Sequence, residues 1–127
     1  MVYVDSSALV KLVLTEPESV AAGSVVVSAP AVATSKIALV EVARAVTRAD
    51  PGADALLDAE ALLVPFVLLD IDEGVLRGAA GFAGDLRSLD AIHLASALIL
   101  GADSMLVYDV RLAEAARAAG LNVVAPA

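Results

Sequence analysis

The chain has 127 residues, of which 60% are hydrophobic and 19% charged, and 16 acidic against 8 basic residues give a formal net charge of −8. The lack of cysteine excludes disulfides, zinc ribbons, iron–sulfur clusters and thiol catalysis, and the single histidine disfavours a histidine-based zinc site. The acidic balance disfavours nucleic-acid binding through a broad basic face, so any activity on nucleic acid would have to depend on cations. No apolar run is long enough to span a membrane and the first residues do not resemble a signal peptide, so we expect a single cytoplasmic domain over residues 1–127.

The predicted elements alternate between short apolar strands and amphipathic helices. In chain order we first predict a strand at Val2–Val4, a helix capped by Ser6 or Ser7 and ending at Leu14, a helix from Pro17 to about Val26, and a strand at Ala31–Ala33. Next come a helix at Lys36–Arg48 capped by Ser35, a helix at Ala53–Leu63, a strand at Phe66–Leu69 and a helix from Asp72 to about Phe82. The last predicted elements are a helix at Leu89–Leu100 capped by Ser88, a strand at Met105–Tyr108, a helix at Val110–Ala119 and a strand at Asn122–Val124. Such alternation predicts an α/β fold with a parallel sheet covered by helices on both faces. The apolar stripe of the first two helices, which includes Leu9 and Val20, is expected to form core or, in part, a groove for a partner helix.

Four acids stand out by their place in this pattern. Asp5 and Asp109 each lie between a strand and the helix that follows it, and Asp90 lies in the first turn of a helix. Glu41 lies within a helix, on an otherwise apolar stretch. Ligands of open parallel sheets bind beyond the carboxyl ends of the strands, so the three aspartates can meet there, and an acid at position 41 needs a cation or a polar partner.

Each of these acids also has a purely structural interpretation. Asp5 and Asp109 could be helix N-caps, and Asp90 could interact only with the helix dipole. Glu41 could pair with Arg44 or Arg48 along its own helix. On position alone, both interpretations stay open.

Convergence of the four acids would restrict the chemistry of the site. Two carboxylates about 4 Å apart repel by roughly 4 kcal/mol at an effective dielectric constant of 20, so four of them need protons or divalent cations. A cluster of oxygen ligands without cysteine suits Mg²⁺ or Mn²⁺. The reaction that such a centre indicates is metal-assisted hydrolysis of a phosphodiester, which needs no histidine base.

Four segments of the chain resemble a known family. These are VDSSALVKL at the start, ALVEVARA around Glu41, RSLDAIHLASAL around Asp90 and YDVRLAEAARAAGLNVV at the end. In this order and spacing they are similar to PIN-domain ribonucleases, in particular to the VapC-type toxins of bacterial VapBC toxin–antitoxin modules. The resemblance extends over essentially the whole chain.

This resemblance implies a three-layer α/β/α sandwich with a central, mainly parallel sheet. It implies that Asp5, Glu41, Asp90 and Asp109 are the catalytic acids and hold one or two Mg²⁺ or Mn²⁺ ions. It also implies an endoribonuclease that cuts tRNA, rRNA or mRNA and inhibits translation, a VapB-type antitoxin as partner, and a homodimer. The high hydrophobic share is consistent with contacts to another chain.

Further residues near the four acids are candidates for substrate contact. Ser6, Arg87 and Arg111 could bind RNA phosphates, although the arginines could equally pair with acids around the site. His93 lies three residues after Asp90 on one helix face, so it could reach the substrate or simply pack half-buried between helices. Val107 is a departure from the family pattern, since many relatives have a Thr or Ser two residues before the last acid.

Two alternatives to a nuclease follow from the sequence. The departure at Val107 favours a catalytically weak or inactive module that binds its antitoxin and RNA without turnover. A domain phosphorylated on Asp5, or a phosphatase, is less favoured, because Asp5-Ser6-Ser7 lacks the second aspartate of an Asp-x-Asp nucleophile motif.

Overall fold

Five short strands form one sheet in the computed structural model, which describes residues 1–127. The strands are β1 (Val2–Val4), β2 (Val32–Ser35), β3 (Val67–Leu69), β4 (Ser104–Leu106) and β5 (Asn122–Val124). Their order in the sheet is β3-β2-β1-β4-β5, and every neighbouring pair is parallel. The predicted parallel sheet is therefore confirmed.

Seven helices cover both faces of this sheet. They are α1 (Ser6–Val13), α2 (Ser19–Ser28), α3 (Ala38–Ala49), α4 (Ala55–Leu63), α5 (Glu73–Ala80), α6 (Ser88–Ile99) and α7 (Val110–Ala118). None of them is long and apolar enough to cross a membrane.

The core consists of two apolar clusters, because successive strand residues point to opposite faces of the sheet. Val4 and Leu106 belong to the cluster that packs with α1, α3 and α4. Tyr3 and Met105 belong to the cluster that packs with α6 and α7. The result is the three-layer α/β/α arrangement expected from the resemblance.

The strand order changes direction at the centre of the sheet. From β1 the chain proceeds outward through β2 to β3, and then returns past β1 to form β4 and β5 on the other side. The carboxyl ends of β1 and β4 therefore flank the point where open α/β sheets bind their ligands. Asp5 directly follows β1, and Asp109 follows β4 after two residues.

Three predicted serine caps are wrong. Asp5 caps α1 in place of Ser6 or Ser7, because its side chain accepts a hydrogen bond from the Ala8 amide. Ser88 is the first residue of α6 and makes no capping bond. Ser35 ends β2 instead of capping a helix, and α3 begins at Ala38.

Two further predictions need correction. Strand β2 extends to Ser35, beyond the predicted end at Ala33, because it continues to pair with β3 up to Leu69. Val20 is 84% exposed and does not belong to the core, since α2 buries only Ala22 among its residues.

Candidate metal centre

The four candidate acids line one cavity at the carboxyl ends of β1 and β4. The cavity has a volume of about 320 Å³ and only one hydrophobic residue in its lining. Its walls are formed by Asp5, Ser6, Ser7, Glu41, Arg87, Ser88, Leu89, Asp90, His93 and Asp109. The structure thus brings together four acids that are between 19 and 104 residues apart along the chain.

Asp5 is the most deeply placed of the four acids, with 3% of its surface exposed. Its Oδ1 accepts a hydrogen bond from the Ala8 amide (2.9 Å) and its Oδ2 accepts one from the Ser7 hydroxyl (2.9 Å). Burial raises the pKa of this carboxyl, and the negative charge of Asp90 acts in the same direction, while the Ala8 and Ser7 bonds partly oppose the shift. An ionised Asp5 therefore needs positive charge nearby.

Glu41 extends from the first turn of α3 into the same cavity and has partners on two other elements. Its Oε1 accepts hydrogen bonds from Ser6 Oγ (2.5 Å) and from His93 Nε2 (2.8 Å). The alternative pairing with Arg44 or Arg48 does not occur among the ion pairs of the chain. Although burial acts to raise it, the bonds from His93 and Ser6 lower the pKa of Glu41, so the carboxylate is ionised.

Asp90 and Asp109 share the positive charge of Arg87. The guanidinium Nε lies 3.2 Å from Asp90 Oδ2, and one terminal nitrogen lies 3.6 Å from Asp109 Oδ2. Asp109 Oδ1 accepts a hydrogen bond from the Leu112 amide (2.9 Å), so this residue is the N-cap of α7 and still directs its other oxygen at Arg87. The N-cap interpretation of Asp5 and Asp109 is thus compatible with a second role for each.

The carboxylates are grouped but not closely clustered. No three acidic or histidine side chains of the chain lie close enough together to surround an ion as they stand. Arg87 occupies the space between two of them. Cation binding at this site would therefore require Arg87 to withdraw and the carboxylates to approach one another.

Arg111, a candidate substrate contact, and Val107, the departure from the family pattern, both lie outside the cavity. Arg111 pairs with Asp85 (3.4 Å) and does not line the cavity. Val107 is completely buried in the apolar cluster of Tyr3 and Leu94, so its side chain does not line the cavity either. The residue type at position 107 therefore removes no polar group from the cavity wall.

His93 is buried, with 1% of its surface exposed, and both ring nitrogens bond within the protein. Nδ1 is 2.7 Å from the Tyr3 hydroxyl, and Nε2 lies between Ser6 Oγ and Glu41 Oε1. This arrangement leaves no free ring nitrogen for a substrate. Sequence reasoning did not identify Tyr3 as part of the site, because a tyrosine inside a strand is usually only a core residue.

A second cavity of about 530 Å³ adjoins the first and shares five lining residues with it. It adds two basic residues, Lys11 and Arg48. Lys11 is neutralised by Glu16 (3.1 Å) and Glu18 (3.0 Å), whereas Arg48 is exposed and forms no ion pair. The Lys11 side chain is only 16% exposed. Arg48 is a candidate phosphate contact that the sequence did not single out.

The chain is similar to known proteins over most of its length. The family model described as PIN domain matches residues 2–118. Ribonuclease VapC46 of Mycobacterium tuberculosis is 41% identical over 128 aligned residues that cover 98% of this chain and 97% of the relative. Ribonuclease VapC35 of the same species is 38% identical over 133 residues, with 99% and 97% covered.

Two solved structures have a similar fold. The structure of Mycobacterium tuberculosis VapC20, described as a toxin that cleaves the sarcin–ricin loop, superposes with a TM-score of 0.79 at 21% identity and covers 99% of this chain and 100% of that one. The structure of VapBC2 from Rickettsia felis, bound to a DNA fragment from its promoter, gives a TM-score of 0.70 at 14% identity, with 98% of each chain covered.

Proposed function

Since the chain belongs to the VapC family of PIN-domain ribonucleases, the toxins of VapBC toxin–antitoxin modules, we propose that it is an endoribonuclease whose Mg²⁺ or Mn²⁺ centre is formed by Asp5, Glu41, Asp90 and Asp109. PIN-domain ribonucleases are typically metal-dependent. The observation that carries the proposal is the convergence of these four carboxylates on one polar cavity at the reversal of strand order.

The donor set fits a divalent cation. All four side chains offer carboxylate oxygens, which Mg²⁺ and Mn²⁺ prefer, and the chain has no cysteine that would attract a softer metal. Arg87 is the only basic residue in the cavity wall apart from His93, so its single charge cannot offset four carboxylates. One or two divalent ions would supply the missing positive charge, and two would halve the formal charge of −8.

The protein's own groups prepare this site in two ways. Hydrogen bonds from Ala8 and Ser7 fix Asp5, and those from Ser6 and His93 fix Glu41. Bound cations of this class supply Lewis-acid activation of water and of the scissile phosphate. Asp5 and Asp109 are each held at the N-terminus of a helix by a capping bond from a backbone amide.

We assign phosphate binding to Arg87 and Arg48. Arg87 is 72% exposed and stands at the cavity mouth, where it can exchange its carboxylate partners for a phosphate once a cation replaces it. Arg48 lies along the adjoining cavity and has no acidic partner. Ser6 lines both cavities and is a third candidate contact, although its hydroxyl already donates to Glu41.

The partner of this nuclease, on our proposal, is a VapB-type antitoxin. The VapBC2 structure is a complex of such a pair, and several apolar side chains are exposed here, among them Val27 (87%) and Val64 (81%). Such side chains are available for contact with another chain, including a second copy in a homodimer. We further propose that residues 1–127 act as one domain in the cytoplasm, where tRNA, rRNA and mRNA are available as substrates.

The test is an RNA cleavage assay with the purified chain freed of any partner. Total RNA is incubated with Mg²⁺ or Mn²⁺, with and without a chelator, and the Asp90→Asn variant is run beside it. Discrete fragments that require metal and disappear with Asp90→Asn are expected. Asp72→Asn is the matched control, because Asp72 caps α5 outside the cavity. Metal binding without any cleavage would instead favour the module that binds RNA without turnover.

A further inference from the structure

A chain of buried polar groups lies behind the Glu41 carboxylate. The Tyr3 hydroxyl on β1 is 2.7 Å from His93 Nδ1 on α6, and His93 Nε2 is 2.8 Å from Glu41 Oε1 on α3. Tyr3 is completely buried and His93 nearly so. Buried polar groups are costly unless they are bonded, so this chain links three elements in one arrangement.

The proton positions follow from what each group can donate. An ionised Glu41 can only accept, so Nε2 of His93 must carry the proton that bonds to it. A tyrosine hydroxyl can donate as well as accept, and the Tyr3 oxygen lies 2.7 Å from Nδ1. The neighbouring Ser96 and Thr34 hydroxyls donate to backbone carbonyls. Since these two hydroxyls do not donate to the ring, we assign the bond at His93 Nδ1 to the Tyr3 proton, which gives the ring the Nε2–H tautomer.

This arrangement distinguishes the two oxygens of Glu41. Oε1 accepts from both Ser6 and His93, whereas Oε2 has no hydrogen-bond partner in the protein. Glu41 lines the cavity, so Oε2 is its available oxygen there.

We propose that Tyr3 and His93 are positioning residues of the metal centre: they fix the Glu41 carboxylate through Oε1 and leave Oε2 as the oxygen that would hold a cation. The inference rests on the proposed function in that Glu41 is taken as a metal ligand. Groups that orient metal ligands in this way typically change metal affinity by about 10–100-fold when they are removed.

The tautomer can be tested in metal-free protein. His93 is the only histidine of the chain, so a two-bond ¹H–¹⁵N spectrum reports on one imidazole. We expect a protonated Nε2 and an unprotonated Nδ1 that accepts a hydrogen bond. Tyr3→Phe should shift the Nδ1 resonance towards that of a free acceptor. Tyr108→Phe is the control, because it removes the only other tyrosine hydroxyl of the chain, which bonds to the Pro126 carbonyl.

Two amide variants separate positioning from packing. In His93→Gln the side-chain NH₂ can take the place of Nε2, whereas in His93→Asn the shorter amide can replace only Nδ1. The affinity for Mn²⁺ alone is measured by titration calorimetry. We expect His93→Asn and Tyr3→Phe to weaken binding about 10–100-fold, with His93→Gln markedly closer to the unmodified chain and Tyr108→Phe equal to it.

The outcomes distinguish this inference from the proposed function. If the unmodified chain binds no Mn²⁺, the metal centre itself is refuted and the positioning role with it. If the chain binds Mn²⁺ and Tyr3→Phe, His93→Asn and His93→Gln all bind equally well, only the positioning role is overturned. A spectrum with a protonated Nδ1 and a bare Nε2 also overturns it. Should His93→Asn fail to fold, Tyr3→Phe and His93→Gln still decide the question.

Discussion

Replacement of Asp5 by asparagine tests whether the buried carboxylate is a cation ligand. Asn is as good an N-cap as Asp, so Asp5→Asn keeps the acceptor for the Ala8 amide and removes only the negative charge. Asp72→Asn is the matched control, because Asp72 caps α5 with a bond of the same length, 2.9 Å, outside the cavity. Both variants should fold.

The expected size of the effect follows from linkage and chain length. A ligand at 100 times its dissociation constant stabilises the folded state by about 2.7 kcal/mol. An unfolding entropy of about 2.1 cal/mol/K per residue over 127 residues converts each kcal/mol into about 4 °C. Saturating Mg²⁺ should therefore raise the melting temperature of the unmodified chain and of Asp72→Asn by about 10 °C. Asp5→Asn should show little or no rise.

Without metal, the stability of the folded state should depend on pH in a direction that the Asp5 carboxyl sets. Burial raises the pKa of Asp5 above its ordinary value of 3.8, so the folded state holds this proton more tightly than the unfolded state. The stability that this carboxyl contributes is complete below its unfolded pKa and is lost as the pH rises through the folded pKa. Asp5→Asn has no carboxyl at this position and does not lose this stability. The metal-free variant should therefore become more stable relative to the unmodified chain as the pH rises through the folded pKa of Asp5.

Thermal melts followed by circular dichroism, with and without Mg²⁺, give both readouts. A rise of melting temperature with Mg²⁺ that is as large in Asp5→Asn as in Asp72→Asn would refute the ligand role of Asp5. A metal-free Asp5→Asn that is less stable than the unmodified chain at neutral pH would contradict the proposed electrostatic cost of the buried charge.

Three further predictions concern neighbouring parts of the molecule. Val107→Thr places a hydroxyl in a fully buried apolar cluster, so chemical denaturation should show a loss of about 1–3 kcal/mol, and the RNA assay no gain of cleavage. Arg87→Gln removes one charge-assisted hydrogen bond of about 1.5 kcal/mol, so steady-state kinetics should show a roughly tenfold higher KM for RNA. Arg77→Gln, on the exposed part of α5, is the control and should leave KM unchanged. Leu94→Ala on α6 should lower the free energy of unfolding by about 2–5 kcal/mol, because Leu94 is buried. Leu98→Ala on the same helix should lower it much less, because Leu98 is 38% exposed.

The fold was predictable because hydrophobic patterning reports the layers directly. The five strands are short, mainly apolar runs, and the first four are each followed by helix signals. This alternation is sufficient to indicate a parallel sheet covered on both faces. The order of the strands could not be predicted in this way, because no local sequence pattern indicates that the chain returns past β1 after β3. The convergence of Asp5 and Asp109 depends on that return, so the sequence could suggest it only through strand–helix junctions.

The hydrogen bonds inside the site were the least predictable part. Glu41 has two arginines at helical spacing, and a local reading of the helix therefore favours Arg44 or Arg48 as its partner. Its actual partners, Ser6 and His93, are 35 and 52 residues away and come from other helices. The predicted start of α3 was wrong for a similar reason. Ser35 still pairs with β3, and a local cap signal does not reveal this pairing.

The N-cap and ligand interpretations of Asp5 and Asp109, which exclude each other in a local reading, are complementary in the structure. A side chain that caps a helix has one oxygen held by a backbone amide, and this bond sets the direction of the other oxygen. At Asp109 the capping oxygen bonds to Leu112 while the second oxygen faces Arg87. Capping at the carboxyl ends of β1 and β4 therefore directs two carboxylates into the same cavity without any further device. It follows that asparagine at either position preserves the cap and the fold while it removes the charge, whereas alanine would remove both at once.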